Sequence, residues 1–162
     1  MSRPPQIAVC GASRTDGRLD ELARDVGRRL AEAGAVVVCG GLTGVMDAVA
    51  AGAAEAGGDV IGILPGDQPA AANPGVSHVV ATGTGAARNL AVVASADAVI
   101  AIGGAWGTLS EIALARNLGR SVIGLGSWSV EAPGGEESLR IESAADPAEA
   151  VERALAAAAS TS

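Results

Sequence analysis

The chain of 162 residues contains no lysine, no phenylalanine and no tyrosine, and its only aromatic residues are Trp106 and Trp128. All 11 of its basic residues are arginine. The missing lysine excludes Schiff-base chemistry, a pyridoxal-phosphate anchor and a lysine-bearing phosphate loop. One histidine and two cysteines are too few for a conventional structural zinc site, so no metal is expected. A formal net charge of -7, with no aromatic platform for bases, argues against general nucleic-acid binding. No run of about 18 uncharged apolar residues occurs, so no membrane span is expected. The opening Met1-Ser-Arg-Pro-Pro-Gln leads into an apolar run too short for a signal-peptide core. Cys10 and Cys39 each close a β-like run and read as buried, reduced thiols, which points to the cytoplasm.

What the chain has in abundance is small: 36 Ala and 23 Gly. Its core must be aliphatic, with small residues letting helices and strands approach closely. Short apolar runs at 7–10, 36–39, 60–64, 78–81, 98–102 and 122–125 read as strands covered on both faces. Amphipathic stretches at 19–33, 45–56, 86–96 and 108–118 read as helices. This alternation predicts an α/β fold: a Rossmann-like, doubly wound parallel sheet of six to seven strands in a single domain over 1–162. The ends, 1–6 and 160–162, read as frayed tails. Residues 65–77 read as a surface loop of a length often used as a lid, and 127–138 as a second loop. A short edge strand is expected at 139–142. Asp146, Pro147 and Glu149 announce a capped helix over 147–159.

In open parallel sheets ligands sit at the carboxyl ends of the strands, near the switch in strand order. Three glycine-bearing turns here follow strands and open helices: Gly11-Ala-Ser13, Gly40-Gly41-Leu-Thr-Gly44 and Gly103-Gly104-Ala105-Trp106-Gly107-Thr108. A helix N-terminus offers unpaired N–H groups and partial positive charge to an anion. Three such turns on one rim suggest a phosphate or nucleotide pocket, although each could be only a tight strand-to-helix turn. Thr108 and Glu111 have capping-box spacing, so both could cap their own helix. Alternatively, Thr108 holds a phosphate while the Glu111 carboxylate faces a sugar. Arg88 opens a helix, where the dipole disfavours a cation, and an anionic partner, Glu111 or a ligand, would relieve that misfit. His78 reads as a structural hydrogen-bonding residue. Trp106, inside a glycine turn, either walls the pocket or packs on a partner subunit.

Taken in order, 40–50, Gly58 to Pro65, Arg88-Asn89 and Gly103 to Glu111 resemble the LOG family, also called lysine-decarboxylase-like or SLOG. The resemblance spans about residue 7 to residue 125. It implies a Rossmann-like fold, a homodimer with a ligand pocket near its interface, and hydrolysis of the N-glycosidic bond of nucleoside 5'-monophosphates without a cofactor. Carried over, Arg88 and Glu111 are the catalytic pair, and Gly104, Gly107 and Thr108 hold the 5'-phosphate. Gly11, Ser13, Gly40, Gly41, Gly44, Met46, Asn89, Gly103, Ala105 and Trp106 complete the expected ligand shell. The family's enzymes carry Pro-Gly-Gly-x-Gly-Thr-x-x-Glu. Here Gly103 stands at the Pro position and Ala105 at the second Gly. The stretch after Glu111 is more similar to the branch containing molybdenum-cofactor carrier proteins. The alternative expectation is therefore a non-catalytic carrier of a phosphorylated small molecule such as that cofactor.

Overall fold

The computed structural model describes residues 3–131, 133–134 and 141–160. Seven strands form one sheet: Gln6–Gly11 (β1), Val36–Cys39 (β2), Val60–Leu64 (β3), His78–Ala81 (β4), Ala98–Ile102 (β5), Ser121–Leu125 (β6) and Glu142–Ala144 (β7). They run in the order β4-β3-β2-β1-β5-β6-β7, and every pairing is parallel. The helices are Gly17–Glu32 (α1), Val45–Glu55 (α2), Arg88–Ala94 (α3), Trp106–Asn117 (α4) and Pro147–Ala159 (α5). This is the expected Rossmann-like α/β architecture. Among the described residues no helix is long and apolar enough to cross a membrane.

The period of two along each strand divides the core. Ile7, Val9, Val37, Cys39, Ile100 and Ile102 face α1, α2 and α5, while Ala8, Cys10, Val38, Val99 and Ala101 face α3 and α4. Ile7, Ile100, Ile102 and Val37 are wholly buried, each worth about 1.5–3 kcal/mol of apolar transfer. Helices α1 and α2 cross at glycines. A Cβ on Gly27 would lie 2.0 Å from the Val49 carbonyl oxygen, and one on Gly52 would lie 2.0 Å from that of Arg24. Those two positions let the backbones touch, as the Ala- and Gly-rich composition implied.

The departures from expectation are local. Strand β7 is Glu142–Ala144 rather than 139–142; Leu139 and Arg140 of that expectation lie outside the described residues. The expected helix over 86–96 is a 3-10 turn, Gly85–Ala87, followed by the seven residues of α3. Ser95 closes α3 by donating its hydroxyl to the Ala91 carbonyl at 2.7 Å. Residues 3–6 are not a loose tail. The Arg3 guanidinium donates twice to Asp97, at 2.6 and 2.9 Å, and the Gln6 N–H adds a third bond to the same carboxylate at 2.9 Å. The 65–77 loop is tied at its middle, where Asn73 donates its N–H to Gly41 O and its amide to Leu42 O, both at 2.9 Å.

Candidate functional site

Strand order switches between β1 and β5, which are neighbours in the sheet although the chain passes through three other strands between them. At their carboxyl ends lies a pocket of about 170 Å³ lined by Gly11, Ser13, Met46, Arg88, Asn89, Ala105, Gly107, Thr108 and Glu111. Four segments distant in sequence thus meet there: the turn after β1, the start of α2, the start of α3 and the first turns of α4. The β1 and β2 turns are stitched together. The Val45 N–H donates to Ala12 O at 3.0 Å, and the Thr43 hydroxyl donates to Ser13 O at 3.1 Å.

Helix α4 begins two residues earlier than the Thr108 cap expected from sequence. Ala105 is its N-cap, and Thr108 sits at the third helical position, where its hydroxyl accepts the Ala105 N–H at 3.4 Å. The capping-box reading of Thr108 with Glu111 is therefore replaced. Ala105 has no side-chain acceptor, so the N–H groups of Trp106, Gly107 and Thr108 are open by helix geometry. They sit at the positive end of a 12-residue helix, where an anion gains about 0.3–2 kcal/mol. Beside them Ser110 donates to Gly107 O at 2.7 Å and accepts from the Asn89 amide at 3.3 Å, which links α3 to α4.

Glu111 lies one turn further on. Burial pushes its carboxyl up to about 7, with Arg88 and the Cys10 thiol pulling the other way. Arg88 reaches neither a carboxylate nor an ion pair within 4 Å among the described residues. Its Nη1 instead donates to two backbone carbonyls, Gly40 O and Ile63 O, each at 2.6 Å. The carboxyl ends of β2 and β3 thus relieve the misfit of a cation at a helix start, a role the sequence reading assigned to Glu111 or a ligand. The Nε of Arg88 is buried without a partner, and burial holds the guanidinium below its usual value. Gly40 must be glycine for this to work, because a Cβ there would sit 2.6 Å from the Arg88 Nη1.

The remaining expected residues fall elsewhere. Gly41 and Gly44 shape the β2 turn without lining the pocket. Gly44 adopts a φ of 68°, and a Cβ would approach the Ala12 carbonyl oxygen to 2.3 Å. Gly103 and Gly104 face a neighbouring groove bounded by Trp128. Trp106 is 78% exposed. His78 approaches Asp59 at 3.3 Å on the far edge strand. Sequence reasoning missed three features: the two carbonyls that hold Arg88, the Cys10 thiol beside Glu111, and Trp128 against Gly104. All join residues far apart in the chain. Both thiols are free and buried; burial raises Cys39 to about 11 and holds Cys10 well above its ordinary value. Among the described residues, no three His, Cys, Asp or Glu side chains gather as metal ligands.

The SLOG cluster4 family model matches residues 4–154. An uncharacterized protein of Archaeoglobus fulgidus is 44% identical over 120 residues, covering 74% of this chain and 79% of that protein. The solved molybdenum cofactor binding protein from the phototrophic bacterium Rippkaea orientalis superposes with a TM-score of 0.86 at 33% identity, over 96% of this chain and 98% of that one. The molybdenum cofactor carrier protein MCP of Chlamydomonas reinhardtii superposes with a TM-score of 0.80 at 31% identity, over 95% and 99%.

Proposed function

The chain belongs to the SLOG cluster4 family, and on that premise we propose that it binds a small phosphorylated ligand at the carboxyl edge of its sheet and holds it without turnover, as a carrier of the molybdenum cofactor. The observation that carries the proposal is that Ala105, Gly107 and Thr108, at the start of α4, line one pocket together with Ser13, Arg88 and Asn89. The likeness to two solved proteins named for binding or carrying that cofactor favours carriage over the N-glycosidic hydrolysis also expected from sequence. So does the chemistry of the pair once expected to catalyse. A hydrolase of this design needs an ionised carboxylate beside the anomeric carbon. Glu111, raised to about 7, is only partly ionised at neutral pH, and Arg88 is engaged by two carbonyls rather than by Glu111.

In this reading the phosphate sits on the α4 amides, Arg88 supplies fixed positive charge at the pocket wall, and Asn89 orients the ligand. The remaining partner is a second copy of the chain. Among the described residues, α3 and α4, of 7 and 12 residues, cover one face of the seven-stranded sheet together with Trp128 and Ile141. Val80 pairs with Ile63 in register and so points to that face. There Val80 is 48% exposed and Leu90 of α3 is 45% exposed, an apolar surface suited to a symmetric contact.

The test is calorimetric titration with the released molybdenum cofactor, AMP and ribose 5-phosphate, with chromatography of the AMP mixture for free base. Binding of the cofactor with no base released is the expected result. Base release that disappears in Glu111→Gln would replace the carrier by the hydrolase, and no binding of any phosphorylated compound would remove both.

A further inference from the structure

Carriage of a phosphorylated ligand leaves one ionisable side chain of the pocket without a role. Glu111 stands on the pocket wall with Ala105, Gly107 and Thr108, which precede it on α4. Among the described residues, its carboxyl has one hydrogen-bond partner, the Cys10 thiol of β1, and a thiol is a weak donor. The ionisable groups that face it come from three elements: Arg88 of α3, Cys10 of β1 and Cys39 of β2. Both thiols are buried, and burial keeps them protonated near neutrality. Arg88 is the one cation of the three, and its Nη1 is held by Gly40 O and Ile63 O rather than by the carboxyl. It favours the ionised form of Glu111 from a distance, and burial outweighs it.

A pocket of about 170 Å³ puts a phosphate group against all of its walls, Glu111 included. Like charges about 4–6 Å apart disfavour each other's ionised form. An ionised Glu111 would therefore oppose the anion that Arg88 and the start of α4 attract. A neutral Glu111 does the reverse. Its carboxyl O–H is a donor, and an O–H bonded to a phosphate oxygen is of the strong, charge-assisted kind. One proton decides whether this side chain repels the ligand or holds it.

Resting on the proposed phosphate-binding reading, we infer that Glu111 is a ligand-binding residue in its protonated form, and that loading of the site is coupled to proton uptake. As the phosphate group enters, the Glu111 carboxylate takes one proton from the solvent, and the resulting O–H donates to a phosphate oxygen. No other covalent bond forms or breaks, and both thiols keep their protons. By linkage, the ligand favours the neutral carboxyl as much as the proton favours the bound ligand. The site loads in neutral or mildly acid solution and unloads as the pH rises.

The experiment titrates the parent chain with ribose 5-phosphate at pH 8, where the phosphate is already a dianion. Calorimetry in HEPES and in Tris separates the heat of binding from the heat of buffer deprotonation. Uptake of about one proton per bound molecule is expected. With the carboxyl of the empty site at about 7, affinity should fall about five- to tenfold per pH unit between pH 7 and pH 9. In Glu111→Gln, whose amide stays neutral and can still donate, uptake should vanish and affinity should be flat over that range. The variant should then bind at least about tenfold more tightly than the parent at pH 9. Infrared difference spectra of the parent chain need no variant: ribose 5-phosphate should raise the band of a protonated carboxyl at pH 8. Binding without proton uptake, or without that band, would overturn the inference while leaving the phosphate site standing. So would uptake that persists in Glu111→Gln, which would put the proton on another group. A parent chain that binds no ribose 5-phosphate at any pH from 6 to 9 would remove the underlying reading itself.

Discussion

Thr108 accepts the N–H of Ala105 at 3.4 Å, and that bond frees Glu111 from the work of capping its own helix. With the α4 N-cap at Ala105, Glu111 falls beyond the first turn and lines the pocket beside Cys10 and Arg88. Local helix chemistry and site chemistry are thereby carried by different residues, although the Thr-x-x-Glu spacing suggested they were shared.

The raised carboxyl of Glu111 gives stability a pH dependence of known sign. Between the ordinary value of 4.5 and about 7, the folded chain keeps a proton that the unfolded chain has released. Stability is therefore highest below that window, falls as pH rises through it, and levels off above about 7. Glu111→Gln removes this contribution, so urea unfolding at pH 8 should show the variant more stable by on the order of 1–3 kcal/mol, with little difference at pH 4.5. A parent chain whose urea midpoint rises with Glu111 ionisation would contradict the burial of this carboxyl.

Arg88 should be a stability residue before it is a ligand residue. Arg88→Met keeps the aliphatic stem but strips the donor from Gly40 O and Ile63 O, each now bonded at 2.6 Å. A loss of roughly 2 kcal/mol in denaturant unfolding is expected, the usual scale for carbonyls deprived of a charged donor. An unchanged midpoint would mean that these bonds do not anchor the side chain.

Neither thiol should react in the native chain. Cys10 and Cys39 are buried and free, and burial keeps both protonated well past neutrality. With a disulfide reagent at pH 8, native protein should show almost no modification over the time in which urea-unfolded chain reacts at both sites. Rapid native labelling of Cys10 would show that its neighbourhood opens.

The exposed pair Val80 and Leu90 predicts self-association. Sedimentation should find a dimer at micromolar concentration, and Leu90→Asp should shift it to monomer without loss of helical circular dichroism. A parent chain that is monomeric at those concentrations would remove the second copy from the proposal.

Strands were the most readable feature, because runs such as Val36–Cys39 and Ala98–Ile102 are apolar on both faces and stop at glycine or a polar residue. Helix starts were less so. Ala105 caps α4 with nothing in its side chain to announce it, and Thr108 looked like the cap because its hydroxyl has Glu111 three residues on. The edge strand Glu142–Ala144 buries one residue of its three, too little to leave a period in the sequence. For the site, the glycine turns pointed to the rim where a cavity lies, but they could not say which glycines line it and which brace it. Arg88 was identifiable as a misplaced cation. Its partners were not, since they are backbone atoms 48 and 25 residues away that any side chain could have carried.

Because both indoles stand together at the edge of the cleft, ring centroids 5.5 Å apart, and the interior holds none, the near-ultraviolet spectrum of this protein is a local instrument. Its tryptophan signal reports the turn at 103–107 and the segment around Trp128, and is largely blind to the aliphatic centre of the sheet. A melt followed by emission and one followed by far-ultraviolet dichroism therefore watch different parts of the molecule, and any gap between the two curves measures how far the cleft loosens before the sheet gives way.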